Sequence, residues 1–426
     1  MAAGDGRAAD ASLDAADRRD RRLTRRWIAA AALVGVCARL AFGVLYWVGQ
    51  PLTRDEREYL SLARSLAAGR GYVYDEAMLA GPVQPFGRAP GYPVFLALTG
   101  GGRAVVEHVP ASVKVAQAVA GAIGIVLIAA LAGRLAGHRA ARAAAAIAAV
   151  YPPLVWISAY AYSEAVFWPF GLFVIWSFDR LTRISGPRIA PGVLAGAVTA
   201  LGVLLRPAVL LFLPLAALWL VARRGWRTTL AFGLGTALVL APWALRDYGH
   251  HGRLVVVASE GGVTFWTGNN ALAKGEGDLA ANPELKVAQQ ALRDRHAELT
   301  EEQMEPVYYR EAFAWIRDHP TSWVALECRK LFYLIVPIGP SYTLHSTRYL
   351  AASVISYGLL LVAAIPGVVR LGARRGRSPG LWLLALSAVA VALVFFPQER
   401  FRIPVIDPTL IVCAAGLAAG RHERRR

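Results

Sequence analysis

The sequence predicts an all-α polytopic membrane protein of about ten transmembrane helices, with amphipathic loop helices and a small mixed segment on the extracytoplasmic side. Composition is the first reason. The 426 residues are 56% hydrophobic and 18% charged, against roughly 45–50% and about 25% in soluble domains. Mean hydropathy is +0.42. Charge placement is the second: long stretches carry none, and the arginines gather in loop-sized clusters. That pattern excludes a disordered chain and an ordinary soluble enzyme. The net charge of +17 marks cytoplasmic loops rather than a nucleic-acid surface, because apolar spans separate the clusters. Cys37, Cys328 and Cys413 lack the spacing of a disulfide framework or a metal site.

Residues 1–26 hold almost no large apolar side chains and read as a disordered cytoplasmic tail. The first span, 27–48, follows a basic run, as a signal peptide would. Its length suits a bilayer, which needs about 20 residues, and no small-residue cleavage site follows, so a retained helix with its amino terminus inside is expected. A loop over 51–111 then lies outside. Spans follow near 112–136, 139–157, 160–180, 189–205, 207–222 and 228–244, completing a transmembrane module over 27–245. Arginine clusters alternate with apolar turns between them, as the positive-inside rule requires. The hairpin over 189–222 is short for two crossings.

The stretch 246–348 is polar and outside. Leu254 to Val257 reads as a strand, Gly261 and Gly262 as a turn, and Thr300 with Gln303 as the capping box of a helix ending near Asp318. Within 323–340, Glu327, Arg329 and Lys330 oppose a crossing, since a central charge costs about 2.5–3.5 kcal/mol on insertion scales. An interfacial or re-entrant helix is expected there. It would keep the basic loop 370–377 and the tail 421–426 inside, with the last spans at 349–370, 379–397 and 403–420, a C-terminal set over 349–420.

Charged groups near membrane depth that do not punctuate cytoplasmic loops are where chemistry belongs. Thr53 to Tyr59 opens a short amphipathic helix that puts Asp55 and Tyr59 on one face, Glu56 beside them. Acidic residues also stabilise helix starts, and on the residues alone a capping role for Asp55 and Glu56 weighs somewhat more. Arg88, before Pro90-Gly91-Tyr92-Pro93, stands at a rigid turn where a lipid phosphate can be met. Glu164 lies inside an apolar span, where a lone carboxylate needs a partner or a wet cavity. Arg206 tops an apolar hairpin, where snorkelling to headgroups is an equal reading. Arg400 and Arg402 sit outside, where positive charge is least expected. Trp266, Asn269 and Asn270 suit a sugar by stacking and amide bonding, although a Gly-rich hairpin explains each of them singly. The histidines are scattered, so no metal site is indicated, and a divalent cation is left open.

Taken in order, Arg54-Asp55-Glu56 with Tyr59, Ala63 and Gly69-Arg70-Gly71-Tyr72, then Arg88-x-Pro90-Gly91-Tyr92-Pro93, then Leu205-Arg206-Pro207, then Arg400-Phe401-Arg402-x-Pro404, resembles the bacterial C-type membrane glycosyltransferases. Within these the chain looks like the branch of the protein O-mannosyltransferases and the lipid A aminoarabinose transferase. The resemblance runs from Trp27 to Ala419. It implies a polyprenyl-phosphate sugar donor, inversion at the anomeric carbon, and a catalytic acidic residue at Asp55, with Glu56 beside it. The residues themselves offer Arg88, Arg206, Arg400 and Arg402 as the candidates for binding the donor phosphate, and Tyr59, Tyr92, Glu164, Trp266, Asn269 and Asn270 as candidates for contacting substrate. This chain is shorter than the best-known members, so the acceptor, a lipid, a glycan or a protein, stays open. Nucleic acid is not an expected partner; membrane lipid is.

The residues fit that chemistry independently. A sugar on a lipid monophosphate has a good leaving group, whereas the acceptor needs a base. Arginines held against the phosphate bind the transition state better than the ground state. The rivals are a lipid-linked sugar or small-molecule transporter, which would more naturally show inverted repeats, and a polymerase or ligase of diphosphate-linked glycans.

Overall fold

The computed structural model describes residues 2–79, 87–103, 107–185, 188–252, 254–277, 279–340, 346–372 and 375–419. The basic tail 421–426 and part of the loop 370–377 lie outside them. The described chain is helical throughout, with no strand among the described residues. The strand expected over 254–257 is therefore a correction: that stretch is irregular, and the Gly261-Gly262 turn is instead the start of a helix, Gly261–Gly268. The alternation Val255, Val257 is too short to pair, and no neighbouring edge is on offer. The outer segment is accordingly all helical rather than mixed.

The helices, in order, are α1 Ala2–Leu40, α2 Arg54–Ala67, α3 Gly91–Leu98, α4 Ala111–Ala136, α5 His138–Val150, α6 Pro152–Trp156, α7 Ser163–Arg183, α8 Ile189–Leu205, α9 Phe212–Arg224 and α10 Trp226–His251. Then come α11 Gly261–Gly268, α12 Pro283–Asp294, α13 Glu301–Asp318, α14 Pro320–Ile335, α15 Thr347–Gly372, α16 Pro379–Val394, α17 Glu399–Arg402 and α18 Ile406–Ala415. Helical backbone thus runs back from the first span through the stretch read as a tail. The capping box of Thr300 and Gln303 opens α13 as expected.

Among the described residues, five helices are long and apolar enough to cross a membrane, six if the pair 138–150 and 152–159, bent by 60°, is one span. Shorter apolar helices cover 189–205, 379–394 and 406–418. Together these make a polytopic membrane protein. The main core joins α1, α4, α5, α7, α8, α10, α15 and α18, and α11 to α13 form a second, smaller one.

Two breaks in these helices are repaired by buried polar side chains. Pro152 and Pro153 have no N–H, so the carbonyls of Ala148 and Ala149 lose their donors four residues on. Arg39 of α1, 2% exposed, supplies them: Nη2 donates to Ala148 O at 3.2 Å and Nη1 to Ala149 O at 3.3 Å. Pro397 strips the carbonyl of Leu393 in the same way, and α16 ends one residue later. Lys330 Nζ donates to Leu393 O at 2.7 Å and Asn269 Nδ2 to Val394 O at 2.9 Å. Lys330, counted above against a crossing, is thus fully buried and paired with Glu327 at 2.7 Å.

Candidate active site

Helix α2 starts at Thr53 because its side chain accepts from Glu56 N, while Glu56 Oε2 accepts from Thr53 N at 2.9 Å, a complete capping box. Glu56 Oε1 also accepts from Ala161 N at 2.9 Å. Glu56 is therefore 2% exposed and spends both oxygens fixing the helix start against the segment before α7. Burial raises its pKa, with those backbone donors opposing. Asp55, one residue earlier and turned the other way, takes no part in the cap.

The two motifs Arg88-x-Pro90-Gly91 and Leu205-Arg206-Pro207 meet directly. A Cβ on Gly91 would stand 2.8 Å from Leu204 O and from Leu205 Cα, so only glycine lets α3 begin against the end of α8. That contact brings Arg88 and Arg206 to one end of the bundle. The turn between α16 and α18 adds Arg400 to the same end.

The charged side chains there form an alternating row. Glu260 Oε2 lies 3.4 Å from Arg88 Nη1, and Arg88 Nη2 lies 2.7 Å from Asp55 Oδ1. Asp55 Oδ2 lies 2.6 Å from Arg400 Nη2, whose Nε is 3.9 Å from Glu164 Oε1. Glu164 Oε1 closes the row at 3.0 Å from Arg206 Nη1, which also donates to Ser163 Oγ at 3.2 Å. Glu58 joins at Arg88, accepting from its Nε at 2.8 Å and its Nη2 at 2.6 Å. The guanidinium of Arg88 sits 5.0 Å from the Tyr59 ring centre and that of Arg400 4.8 Å from Tyr162.

These partners set the protonation of Asp55. Burial favours its neutral form, but Arg88 and Arg400 outweigh burial and hold the carboxyl well below the usual carboxylate range. Two guanidiniums in contact outweigh the like charge of the neighbouring Glu56. Arg54 and Arg57, the basic neighbours of Asp55 in sequence, face elsewhere: Arg54 pairs with Glu58 at 3.0 Å and Arg57 with the Leu52 carbonyl. Glu260 differs from Asp55: burial lifts its pKa and Arg88 only partly offsets this.

A cavity of about 460 Å³ opens beside the row. Its polar end is Tyr59, Arg88, Ser163, Arg206 and Glu260; the remaining wall is mostly apolar, from the corner 207–211, from α16 and from the turn 395–406. Asp55 stands behind Arg88 rather than in the wall. Arg402 borders the cavity but is only 2% exposed. Its Nε is 3.3 Å from Asp407 Oδ1 and its guanidinium 3.5 Å from the Tyr357 ring centre. Tyr151 donates to Asp407 Oδ2 at 3.0 Å, so Arg402 is anchored in the core.

The other sequence candidates lie apart. Tyr92 is fully buried, edge-on to Tyr59, and donates to Gln117 Oε1 at 2.7 Å. Asn269 is 1% exposed; besides the α16 carbonyl it bonds Phe265 O, and its Oδ1 accepts from Lys330 Nζ at 3.0 Å and Trp323 Nε1 at 3.3 Å. Asn270 turns onto Trp266 O and Leu272 N. Trp266 packs in the second core, 8% exposed. None of these four borders the cavity. Glu58, Glu260 and Asp407 are not among the site residues expected from the sequence. Among the described residues no group of three or more His, Cys, Asp or Glu is placed to hold a metal ion.

Residues 88–245 match the family model described as dolichyl-phosphate-mannose-protein mannosyltransferase. No curated protein matches the chain by sequence. Among solved structures, the chain is similar to the Archaeoglobus fulgidus oligosaccharyltransferase tethered to an acceptor peptide containing the NVT sequon. The TM-score is 0.54 at 14% identity, over 92% of this chain and 49% of that one. The same protein in complex with Zn and sulfate gives 0.52 at 15% identity, over 92% and 48%. The chain therefore spans about half the length of that enzyme. A weaker likeness, TM-score 0.40 at 15% identity over 89% of this chain and 77% of the other, is to ArnT from Cupriavidus metallidurans bound to undecaprenyl phosphate. The chain thus has the fold of the C-type membrane glycosyltransferases, and its stretch 88–245, which carries Arg88, Glu164 and Arg206, matches the mannosyltransferase family model.

Proposed function

We propose that the protein is a membrane glycosyltransferase that moves a hexosyl or pentosyl group from a polyprenyl-phosphate donor to an acceptor hydroxyl or amine, with inversion, on the extracytoplasmic side. The observation that carries this reading is the cavity: a mostly apolar wall that also holds Arg88 and Arg206, with Asp55 and Arg400 joined to them through the row of ion pairs. An isoprenoid chain suits the apolar wall and its phosphate suits the arginine end. The family matched by 88–245 is described by a dolichyl-phosphate donor, which supports the same assignment.

The chemistry follows from the row of charges. The acceptor oxygen or nitrogen attacks the anomeric carbon from the face opposite the phosphate. The carbon–oxygen bond to phosphate breaks and its electron pair stays on the phosphate. The acceptor proton passes to Asp55. Arg206 and Arg400 meet the charge growing on the leaving phosphate, and Arg402 stiffens the turn that carries Arg400. As the phosphate takes Arg400, Asp55 loses a partner that depressed its basicity, so the base strengthens when the donor arrives.

The test is the purified protein in lipid, given a panel of polyprenyl-phosphate sugars with lipid, glycan and peptide acceptors. Release of polyprenyl phosphate coupled to a glycosylated acceptor is the expected result. Donor moved across vesicles with its phosphate–sugar bond intact, and no cleavage with any pair, would replace this reading with a transporter.

A further inference from the structure

Arg88 carries a charge environment unlike that of the other two arginines in the row. Arg206 and Arg400 each have an ion-pair partner in Glu164, and Arg206 has no second carboxylate in contact among the described ion pairs. Arg88 is held by three carboxylates from two places in the chain: Asp55 and Glu58 of α2, and Glu260 just before α11. Three of its bonds are at 2.8 Å or less. A phosphate approaching Arg88 would have to displace at least one anion while remaining beside the others. Approaching Arg206 it displaces only Glu164.

We infer that Arg88 is not a donor clamp but a positioning residue: with Glu58 and Glu260 as its holders, it aims Asp55 at the acceptor while Arg206 and Arg400 hold the phosphate. This rests on the reading of Asp55 as the base. The geometry is a fork with fixed ends. Glu58 accepts from both Nε and Nη2 and so sets the plane of the guanidinium. Nη2 is then presented to Asp55 Oδ1, and Nη1 to Glu260. The Tyr59 ring lies against the same guanidinium. Glu260 also ties the outer segment, through the start of α11, to the carboxylate of α2. The titratable and charged groups facing Asp55 are Arg88, Arg400, Glu56, Glu58, Tyr59, Tyr162, Glu164 and Glu260. Of these, Arg88 and Arg400 favour its ionised form and the carboxylates oppose it.

The experiment compares Arg88→Gln, Arg88→Lys and Glu58→Gln with wild type. It measures the Kd for polyprenyl phosphate, the donor KM, and kcat against pH. Asp55→Asn runs alongside: wild-type turnover in that variant retires the base reading itself, whereas its loss leaves the role of Arg88 as the only question. For Arg88→Gln the expected result is kcat lower by at least about 10-fold with donor KM and Kd within about threefold. The acidic limb of the kcat profile rises by about one pH unit or more, because a positive neighbour of Asp55 is gone. Arg88→Lys keeps the charge and returns the limb to its wild-type position. A donor Kd weakened by about 10-fold or more in Arg88→Gln overturns the inference whatever the pH limb does. If Arg88→Gln does not fold, Glu58→Gln decides. A clamp freed of a competing anion binds polyprenyl phosphate more tightly, which overturns the inference; an unchanged Kd with lowered kcat upholds it.

Discussion

Arg400 Nη2 stands 2.6 Å from Asp55 Oδ2, so the turn before the last helix closes on the carboxylate that follows the first span. Neither residue has the other as a sequence neighbour, and the pair exists only when the two ends of the chain are packed together. Its partner pair, Arg88 with Asp55 at 2.7 Å, fixes the other oxygen. With both oxygens paired, the carboxyl is held well below the usual carboxylate range.

The clamp is testable one arginine at a time. Arg206→Ala and Arg400→Ala should each weaken donor use by about 1.5–3 kcal/mol, the range for a lost charge-assisted hydrogen bond. Donor kcat/KM checks this. Wild-type donor kinetics in both variants would remove the phosphate from this end of the cavity.

Stability should depend on acid in a defined direction. The folded-state pKa of Asp55 is depressed, so its ion pairs contribute stability above the ordinary carboxylate range and lose it as pH falls toward the folded value. Asp55→Asn should therefore be less stable than wild type near neutrality, and the gap should shrink once pH falls below about 4. Thermal unfolding in detergent at several pH values measures it. A gap that is constant down to the most acid point, or that widens, contradicts the pairing.

Arg39 offers a test of the fold rather than the chemistry. Arg39→Leu leaves the carbonyls of Ala148 and Ala149 without donors inside the bundle, at about 1–3 kcal/mol for each unsatisfied group. Restoring backbone N–H groups with Pro152→Ala and Pro153→Ala should recover part of that loss. A double-mutant cycle on thermal stability reads the coupling. Simple additivity would mean that Arg39 does not serve those carbonyls.

Topology is open to cysteine labelling in whole cells. If 323–340 does not cross, positions in 270–300 label from outside and positions in 371–377 do not. Labelling of 371–377 from outside means that this segment crosses and that the last three spans are inverted.

What could be read in the sequence follows from the range of each signal. Apolar length and the alternation of arginine clusters are local, and they predicted the helical membrane fold. Thr300 with Gln303 is local as well. Asp55, Arg88, Glu164, Arg206 and Arg400 could be singled out because each is a charged group near membrane depth that does not punctuate a cytoplasmic loop, and the structure brings all five together. Which of them touch was not legible, because pairing across α2, α7, α8 and α17 depends on packing. Glu58 and Glu260 looked like ordinary polar residues of an exposed segment, and Asp407 passed as the start of a span. Trp266, Asn269 and Asn270 carried a composition suited to a sugar, yet Asn269 and Asn270 bond backbone and Trp266 fills the second core. The alternation over 254–257 lacked a partner strand.

The most direct measurement is transfer by Asp55→Asn. Asparagine keeps the size of the side chain, and Thr53 and Glu56 still cap α2, so the helix start survives the change. With purified protein, a polyprenyl-phosphate sugar and a working acceptor, turnover should fall by at least about 10²-fold while polyprenyl phosphate still binds, a lost general base being worth about 10²–10⁴. Transfer within a few-fold of wild type would contradict the role of Asp55 as the base.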